Sequence, residues 1–189
     1  MNGPLPSRRS LENGYLEKGE LFRGVTESSE TNQYLTFNLD NEVFGLAILK
    51  VREVLDFTSI TRVPQTPAYM RGVINLRGSV VPVMDLRLKF NMAQTEKTVN
   101  TCIIITEVEM GGEMVVLGAL ADSVQEVVDL DASQIEPPPH MGTRLRAEFI
   151  KGMGKHGDGF IIVLDIDRVF SSEEIAVAKT AGIEPQETA

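Results

Sequence analysis

Residue types that commonly do chemistry are sparse in this 189-residue chain: one cysteine, Cys102, and two histidines, His140 and His156. The run Gly152-Met153-Gly154-Lys155-His156-Gly157 spells a G-x-G-x-x-G fingerprint. That fingerprint delivers a pyrophosphate to a helix N-terminus, whereas Asp158-Gly159-Phe160-Ile161-Ile162-Val163 reads as a strand, so the nucleotide reading fails. The repeat described below makes these glycines a hairpin tip instead. Asp129, Asp131 and Ser133 open like a calcium loop. The glycine needed sixth is Gln134 and the glutamate needed twelfth is His140, which rules that loop out. A single cysteine makes no zinc set, and no serine, histidine and acid are spaced as a triad. Cys102, inside Cys102-Ile103-Ile104-Ile105, reads as a buried, inert thiol. Asp85 and Asp165 each begin a turn, where a carboxylate caps backbone amides. We expect no catalytic residue, no metal and no cofactor.

Recognition chemistry is more visible. In Gly72-Val73-Ile74-Asn75-Leu76-Arg77-Gly78-Ser79-Val80-Val81-Pro82-Val83-Met84-Asp85-Leu86 two β-branched apolar runs meet at a polar tip. Asn75 and Gly78 supply the turn, which puts Arg77 on or beside it. A guanidinium fork suits a carboxylate, and the hairpin core offers none. Glu53, on a neighbouring strand, is expected to reach Arg77 and orient it, leaving donors for a partner.

The elements that must position these residues are short strands. Leu35, Phe37 and Leu39 alternate with Thr36 and Asn38, and Asp40-Asn41-Glu42 turns the chain into Val43-Phe44-Gly45-Leu46-Ala47-Ile48, a hairpin. Val51-Arg52-Glu53-Val54-Leu55-Asp56 follows as a third strand, then a loop marked by Pro64 and Pro67. After the Arg77 hairpin, residues 85–90 read as a short helical turn and 91–100 as a polar loop. The pattern then restarts: apolar runs at 102–106 and 114–121 flank Glu109-Met110-Gly111-Gly112-Glu113, a hairpin with a Gly-Gly tip. Val124-Gln125-Glu126-Val127-Val128-Asp129 matches the strand at 51 with an offset of 73 (124 − 51), and Gly152, Val163, Asp165 and Phe170 match Gly72, Val83, Asp85 and Phe90 with an offset of 80 (152 − 72).

Such a duplication implies two similar units of five short strands, which close most economically as small barrels side by side. Fold class is therefore mainly β, with a short connecting helix at 85–90 and a C-terminal helix over 171–179. That helix carries a capping box from Ser171 to Glu174 and packs Ile175 and Ala178 on the second unit, with Lys179 toward its end. Residues 1–31 hold few strong apolar side chains and read as a flexible tail, apart from a possible docking contact at Leu21 and Phe22. Residues 32–182 form the domain, and 183–189 a disordered end.

Composition narrows the partners. With 18 basic and 27 acidic residues the formal charge is −9, and there is no tryptophan, which argues against a nucleic-acid-binding barrel and against a membrane surface. Ser7-Arg8-Arg9-Ser10-Leu11 resembles a twin-arginine signal, but Glu12, Glu17, Lys18 and Glu20 replace the apolar stretch that should follow, so we expect a cytoplasmic protein.

The strings Val51-Arg52-Glu53-Val54, Arg62-Val63-Pro64, Pro67-Ala68-Tyr69-Met70-Arg71-Gly72-Val73-Ile74-Asn75-Leu76-Arg77-Gly78 and Val81-Pro82-Val83-Met84-Asp85-Leu86-Arg87 together resemble the CheW family of bacterial chemotaxis coupling proteins. The resemblance runs in one register from about residue 32 to 180. It implies two SH3-like five-stranded barrels and a non-catalytic adaptor that couples chemoreceptor cytoplasmic tips to the histidine kinase CheA in membrane-associated arrays. It also implies a receptor-binding set of Val51, Glu53, Gly72, Asn75, Arg77 and Gly78 beside a groove between the barrels. Contact with the CheA regulatory domain would fall in Gln134-Ile135-Glu136-Pro137-Pro138-Pro139-His140-Met141, through Ile135, Glu136, Pro137 and Met141. Glu136 and Met141 depart from some members, which have a basic and an aromatic residue there. The same scaffold in a chemosensory pathway other than motility is the alternative.

Overall fold

A computed structural model describes residues 31–138 and 145–171, residues 173, 174 and 176, and the two-residue strand at 15–16. Twelve strands are described. They are β1 (Tyr15–Leu16), β2 (Thr31–Leu39), β3 (Glu42–Ala47), β4 (Val51–Asp56), β5 (Met70–Leu76), β6 (Ser79–Asp85), β7 (Cys102–Met110), β8 (Glu113–Ala121), β9 (Ser123–Asp131), β10 (Ile135–Glu136), β11 (Ile150–His156) and β12 (Gly159–Leu164). Two one-turn helices, α1 (Leu86–Lys89) and α2 (Ile166–Val169), follow the second hairpin of each repeat.

The strands make two sheets, ordered β1-β4-β7-β8-β6-β5 and β10-β11-β12-β3-β2-β9. This corrects the expectation that each copy of the repeat closes on itself. The hairpin of β7 and β8, from the second copy, is inserted between β4 and β6 of the first, while β2 and β3 lie between β9 and β12 of the second. The copies have exchanged their first hairpins. Each exchanged hairpin makes the one parallel pairing of its sheet, Val83 opposite Gly118 and Val163 opposite Gly45.

Three apolar clusters follow from the alternation along the strands. One joins both sheets and includes Leu35, Phe37, Phe44, Leu46, Val51, Val54, Met84, Ile104 and Phe90. Two smaller ones belong to single sheets, with Ile74, Val81, Val83, Ile103, Ile105 and Leu120 in the first and Tyr34, Val128, Leu130, Ile161 and Val163 in the second. Rings step through the shared cluster from Phe37 to Phe44 at 5.9 Å, to Phe90 at 6.0 Å and to Phe149 at 5.9 Å. Fully burying one such ring is worth about 1.5–3 kcal/mol, so the exchange ties the two sheets into one body.

Polar groups secure the crossovers. Asp122, between β8 and β9, accepts from the Asp40 amide at 2.7 Å and pairs with Arg87 at 3.1 Å, while Lys50 pairs with Asp167 at 2.7 Å. Lys89 lies 4.8 Å from the Tyr69 ring centre and donates to Glu174 at 2.7 Å. The Ser171 and Glu174 capping box is present, with Ser171 N donating to Glu174 at 2.8 Å and Glu174 N to Ser171 Oγ at 3.2 Å. Glu173, Glu174 and Ala176 are helical; Ile175, Ala178 and Lys179 lie outside the described residues, as do Leu21 and Phe22. Among the described residues no helix is long and apolar enough to cross a membrane.

Candidate functional site

The β5 and β6 hairpin closes on Arg77 and Gly78, with Leu76 opposite Ser79. Both tip residues have positive φ, 48° and 88°, the two-residue turn whose twist matches that of the flanking strands. Asn75 Oδ1 accepts from the Gly78 amide at 2.8 Å and holds the turn, as its place in the sequence predicts.

A bulge in β4 decides what meets Arg77. Val51 opposes Thr106 and Glu53 opposes Ile105, so an extra residue, Arg52, is accommodated between them. Val51 and Val54 consequently share the face that enters the two-sheet cluster, while Glu53 falls on the side of Leu55, which packs against the first-sheet cluster. Arg77 Nη2 then lies 2.5 Å from Glu53 Oε1; the glutamate side chain is 6% exposed and the arginine 63%. The expected pairing is present. It joins a carboxylate withdrawn from water to a cation that remains largely in it.

The other members of the expected set divide by burial. Asn75 and Gly78 are exposed beside Arg77. Val51 is fully buried and offers no surface, because the bulge turns it into the shared core rather than along a groove. Gly72 is also inside. Its φ is 141°, and a Cβ there would stand 2.1 Å from the Thr61 carbonyl oxygen, which accepts from the Val73 amide at 2.8 Å. Gly72 therefore lets the 57–69 loop cross against the hairpin.

Asp85 anchors the base of the hairpin. Fully buried, it accepts from Arg87 N at 3.0 Å, Leu88 N at 3.4 Å, Thr95 N at 3.1 Å, Thr95 Oγ1 at 2.8 Å and Arg71 Nη1 at 3.1 Å. The cap reading holds for Asp85. It fails at Asp165, which makes no side-chain cap bond and pairs instead with Arg168 at 3.5 Å.

The second copy echoes the Arg77 site in weaker form. Glu126, equivalent to Glu53 at the offset of 73, lies 3.3 Å from His156 at the β11 end, with both side chains well exposed and the histidine charged only when protonated. Only Gly157 of the supposed glycine tip is in the turn, since Gly152 and Gly154 lie within β11. At 152 a Cβ would meet Ile135 Cγ2 at 2.3 Å.

Of the expected kinase-contact residues, Ile135 is half-buried on β10 against Gly154, Glu136 is exposed and pairs with Lys155 at 2.7 Å, and Pro137 is exposed. Met141 lies outside the described residues. Burial, with Asp56 and Asp122 adding, pushes the Cys102 thiol up to about 12 and leaves it without thiolate character. Among the described residues no group of three or more His, Cys, Asp or Glu could hold a metal ion.

The site is a charged hairpin tip held on a two-sheet body, and comparisons with known proteins place the chain that carries it. The model of the CheW-like domain matches residues 33–174. The chemotaxis protein CheW of Klebsiella aerogenes is 39% identical over 145 residues, covering 77% of this chain and 85% of that protein. Its counterpart in Treponema pallidum is 30% identical over 148 residues, covering 78% and 87%. The crystal structure of the scaffolding protein TtCheW from Thermoanaerobacter tengcongensis superposes with a TM-score of 0.67 at 36% identity, over 76% of this chain and 94% of that one.

Proposed function

The chain belongs to the CheW family, and from that premise we propose that it is a non-catalytic chemotaxis adaptor that couples chemoreceptors to the histidine kinase CheA. It acts on the cytoplasmic side, at membrane-associated receptor arrays. The observation that carries the site is the pair of Glu53 and Arg77: a carboxylate with 6% exposure fixes one edge of a guanidinium with 63% exposure. An arginine oriented in this way presents its charge in a defined direction, so less rotamer entropy is lost on binding.

Arg77, Asn75 and Gly78 form the receptor-facing tip in this reading. Glu53 orients the arginine. Val51 and Gly72 support the tip from inside the fold, the first by anchoring β4 in the shared core and the second by admitting the 57–69 loop. A receptor tip is helical, and a helix face docks on such a surface through a few apolar contacts and one charge-assisted bond. That interface is weak alone, and repetition across an array multiplies it.

The regulatory domain of CheA docks at the far edge of the second sheet, at Ile135, Glu136 and Pro137. Those residues lie in a different sheet from Arg77, so one molecule can hold both partners. The direct check is co-purification of a receptor cytoplasmic fragment, the CheA regulatory domain and this chain. A ternary complex that forms only when this chain is present supports the adaptor. Recovery of neither partner refutes it.

A further inference from the structure

The first sheet ends at β4, the strand that carries Glu53. One edge of β4 is paired with β7 from Val51 to Asp56. The other receives two residues from far upstream, Tyr15 opposite Leu55 and Leu16 opposite Val54, in antiparallel register. In an antiparallel ladder successive residues turn their N–H and C=O groups to opposite sides. One of Val54 and Leu55 therefore bonds β7, and the other faces the outer edge. Left bare, that edge is a template for any extended backbone.

The repeat shows that this strand is an addition to the five-stranded plan. β9 is the counterpart of β4, and among the described residues nothing pairs with its outer edge. Its sequence, Ser123-Val124-Gln125-Glu126-Val127-Val128-Asp129-Leu130-Asp131, is the more acidic of the two. The first sheet is also complete without β1, because all of its other pairings join strands from residue 51 onward.

We propose that the outer edge of β4 is a strand-addition site for an extended peptide, and that the chain's own segment at Tyr15 and Leu16 is the ligand that occupies it in cis. Two residues of ladder form few hydrogen bonds, each worth about 0.5–1.5 kcal/mol net, so the contact depends on the high effective concentration of a tethered segment. A ligand held in that way is exchangeable. Glu53 is the next residue along β4 from Val54, so occupancy of the edge lies against the flank of the Arg77 site. The inference stands apart from the adaptor reading and concerns the chain alone.

The test uses the full chain and a Tyr15→Pro/Leu16→Pro variant, because proline has no N–H to give to a ladder. Amide hydrogen exchange is followed at Val54 and Leu55, with Ile103, Ile104 and Ile105 as controls for the sheet interior. The outward-facing amide should exchange on the order of tenfold faster in the variant while the controls keep their protection. A labelled peptide of residues 10–20 should bind the variant and restore that protection, and should bind the unmodified chain far more weakly. Equal exchange at 54 and 55 in both chains would overturn the proposal, as would a peptide that ignores the variant. Loss of protection at the controls would also overturn it, by showing the segment to be an integral strand.

Discussion

Glu53 and Arg77, 24 positions apart in sequence, meet at 2.5 Å across the first sheet, one drawn out of water and the other left in it. The asymmetry sets the cost of separating them. Arg77→Ala strands a buried carboxylate and should lower stability by about 1–3 kcal/mol. That is less than the ~3–5 kcal/mol lost when a fully buried pair is broken, because the guanidinium is mostly solvated. Glu53→Gln, which keeps shape and removes charge, should lose less. Urea unfolding of the three proteins measures this order, and a neutral Arg77→Ala would show that Glu53 does not depend on it.

Orientation is separable from stability. Glu53→Ala leaves every exposed residue of the tip in place, yet removes the carboxylate that fixes one edge of the guanidinium. Receptor-fragment affinity should fall several-fold, read by titration calorimetry. If affinity stayed within error of the unmodified protein, the orienting role of Glu53 would be wrong.

Two glycines in one hairpin should behave differently. Gly72→Ala places a Cβ 2.1 Å from the Thr61 carbonyl, which is backbone and cannot swing aside, so a loss above about 3 kcal/mol is expected. At Gly78 φ is 88° but nothing lies within 4 Å, so Gly78→Ala meets only the backbone penalty, about 1 kcal/mol. Thermal unfolding distinguishes them; similar losses would contradict the close approach at Gly72.

Acid should loosen the contact of Glu174 with Lys89 and Tyr69. Burial works to raise the Glu174 carboxyl, but hydrogen bonds from Lys89, the Ser171 amide and Tyr69 outweigh it and hold the pKa below its ordinary value. A carboxyl depressed in the folded state stabilises above its unfolded pKa, and that contribution is lost as pH falls through the folded value. The stability difference between the native chain and Glu174→Gln should hold steady from neutral pH down to about 5 and shrink below about 4. Tyr69 acts at the other end. Burial first, then Glu174, raise its hydroxyl, so its contribution is lost as pH climbs past the ordinary tyrosine range. A difference that stayed constant down to pH 3 would contradict this role of Glu174.

Much of the local structure was legible because its causes are local. The alternation at Leu35, Phe37 and Leu39, the Gly111 and Gly112 tip and the Asn75 turn each depend on neighbours within a few residues. The reach of Glu53 to Arg77 was legible from their expected proximity in one folded unit, and it is met even though β7 and β8 stand between β4 and β6 in the sheet. Strand partnership was not. The hairpins at 34–48 and 102–121 are similar in apolar pattern, so either satisfies β4 locally, and the chain takes the exchanged pairing that buries Phe37 and Phe44 against Phe90 in the shared core. The burial of Val51 was not legible, because a bulge of one residue at Arg52 reverses which face it takes. Asp165 sits between apolar neighbours much as Asp85 does, Leu164 and Ile166 against Met84 and Leu86, but Asp85 is met by Arg71 and Thr95 from elsewhere in the chain while Asp165 pairs with nearby Arg168. The setting of Lys89 among Tyr69, Phe149, Phe170 and Glu174 gathers residues from distant parts of the chain and leaves no periodic trace.

The most direct test of the adaptor account is Arg77→Asp, with affinity for a receptor cytoplasmic fragment and for the CheA regulatory domain measured separately on the same folded preparation. Charge reversal at the tip places a second carboxylate beside Glu53, and receptor affinity should fall at least tenfold while kinase affinity is unchanged. Receptor binding that survives the reversal, or both affinities falling together in a protein that keeps its fold, would contradict the assignment of the receptor face to Arg77.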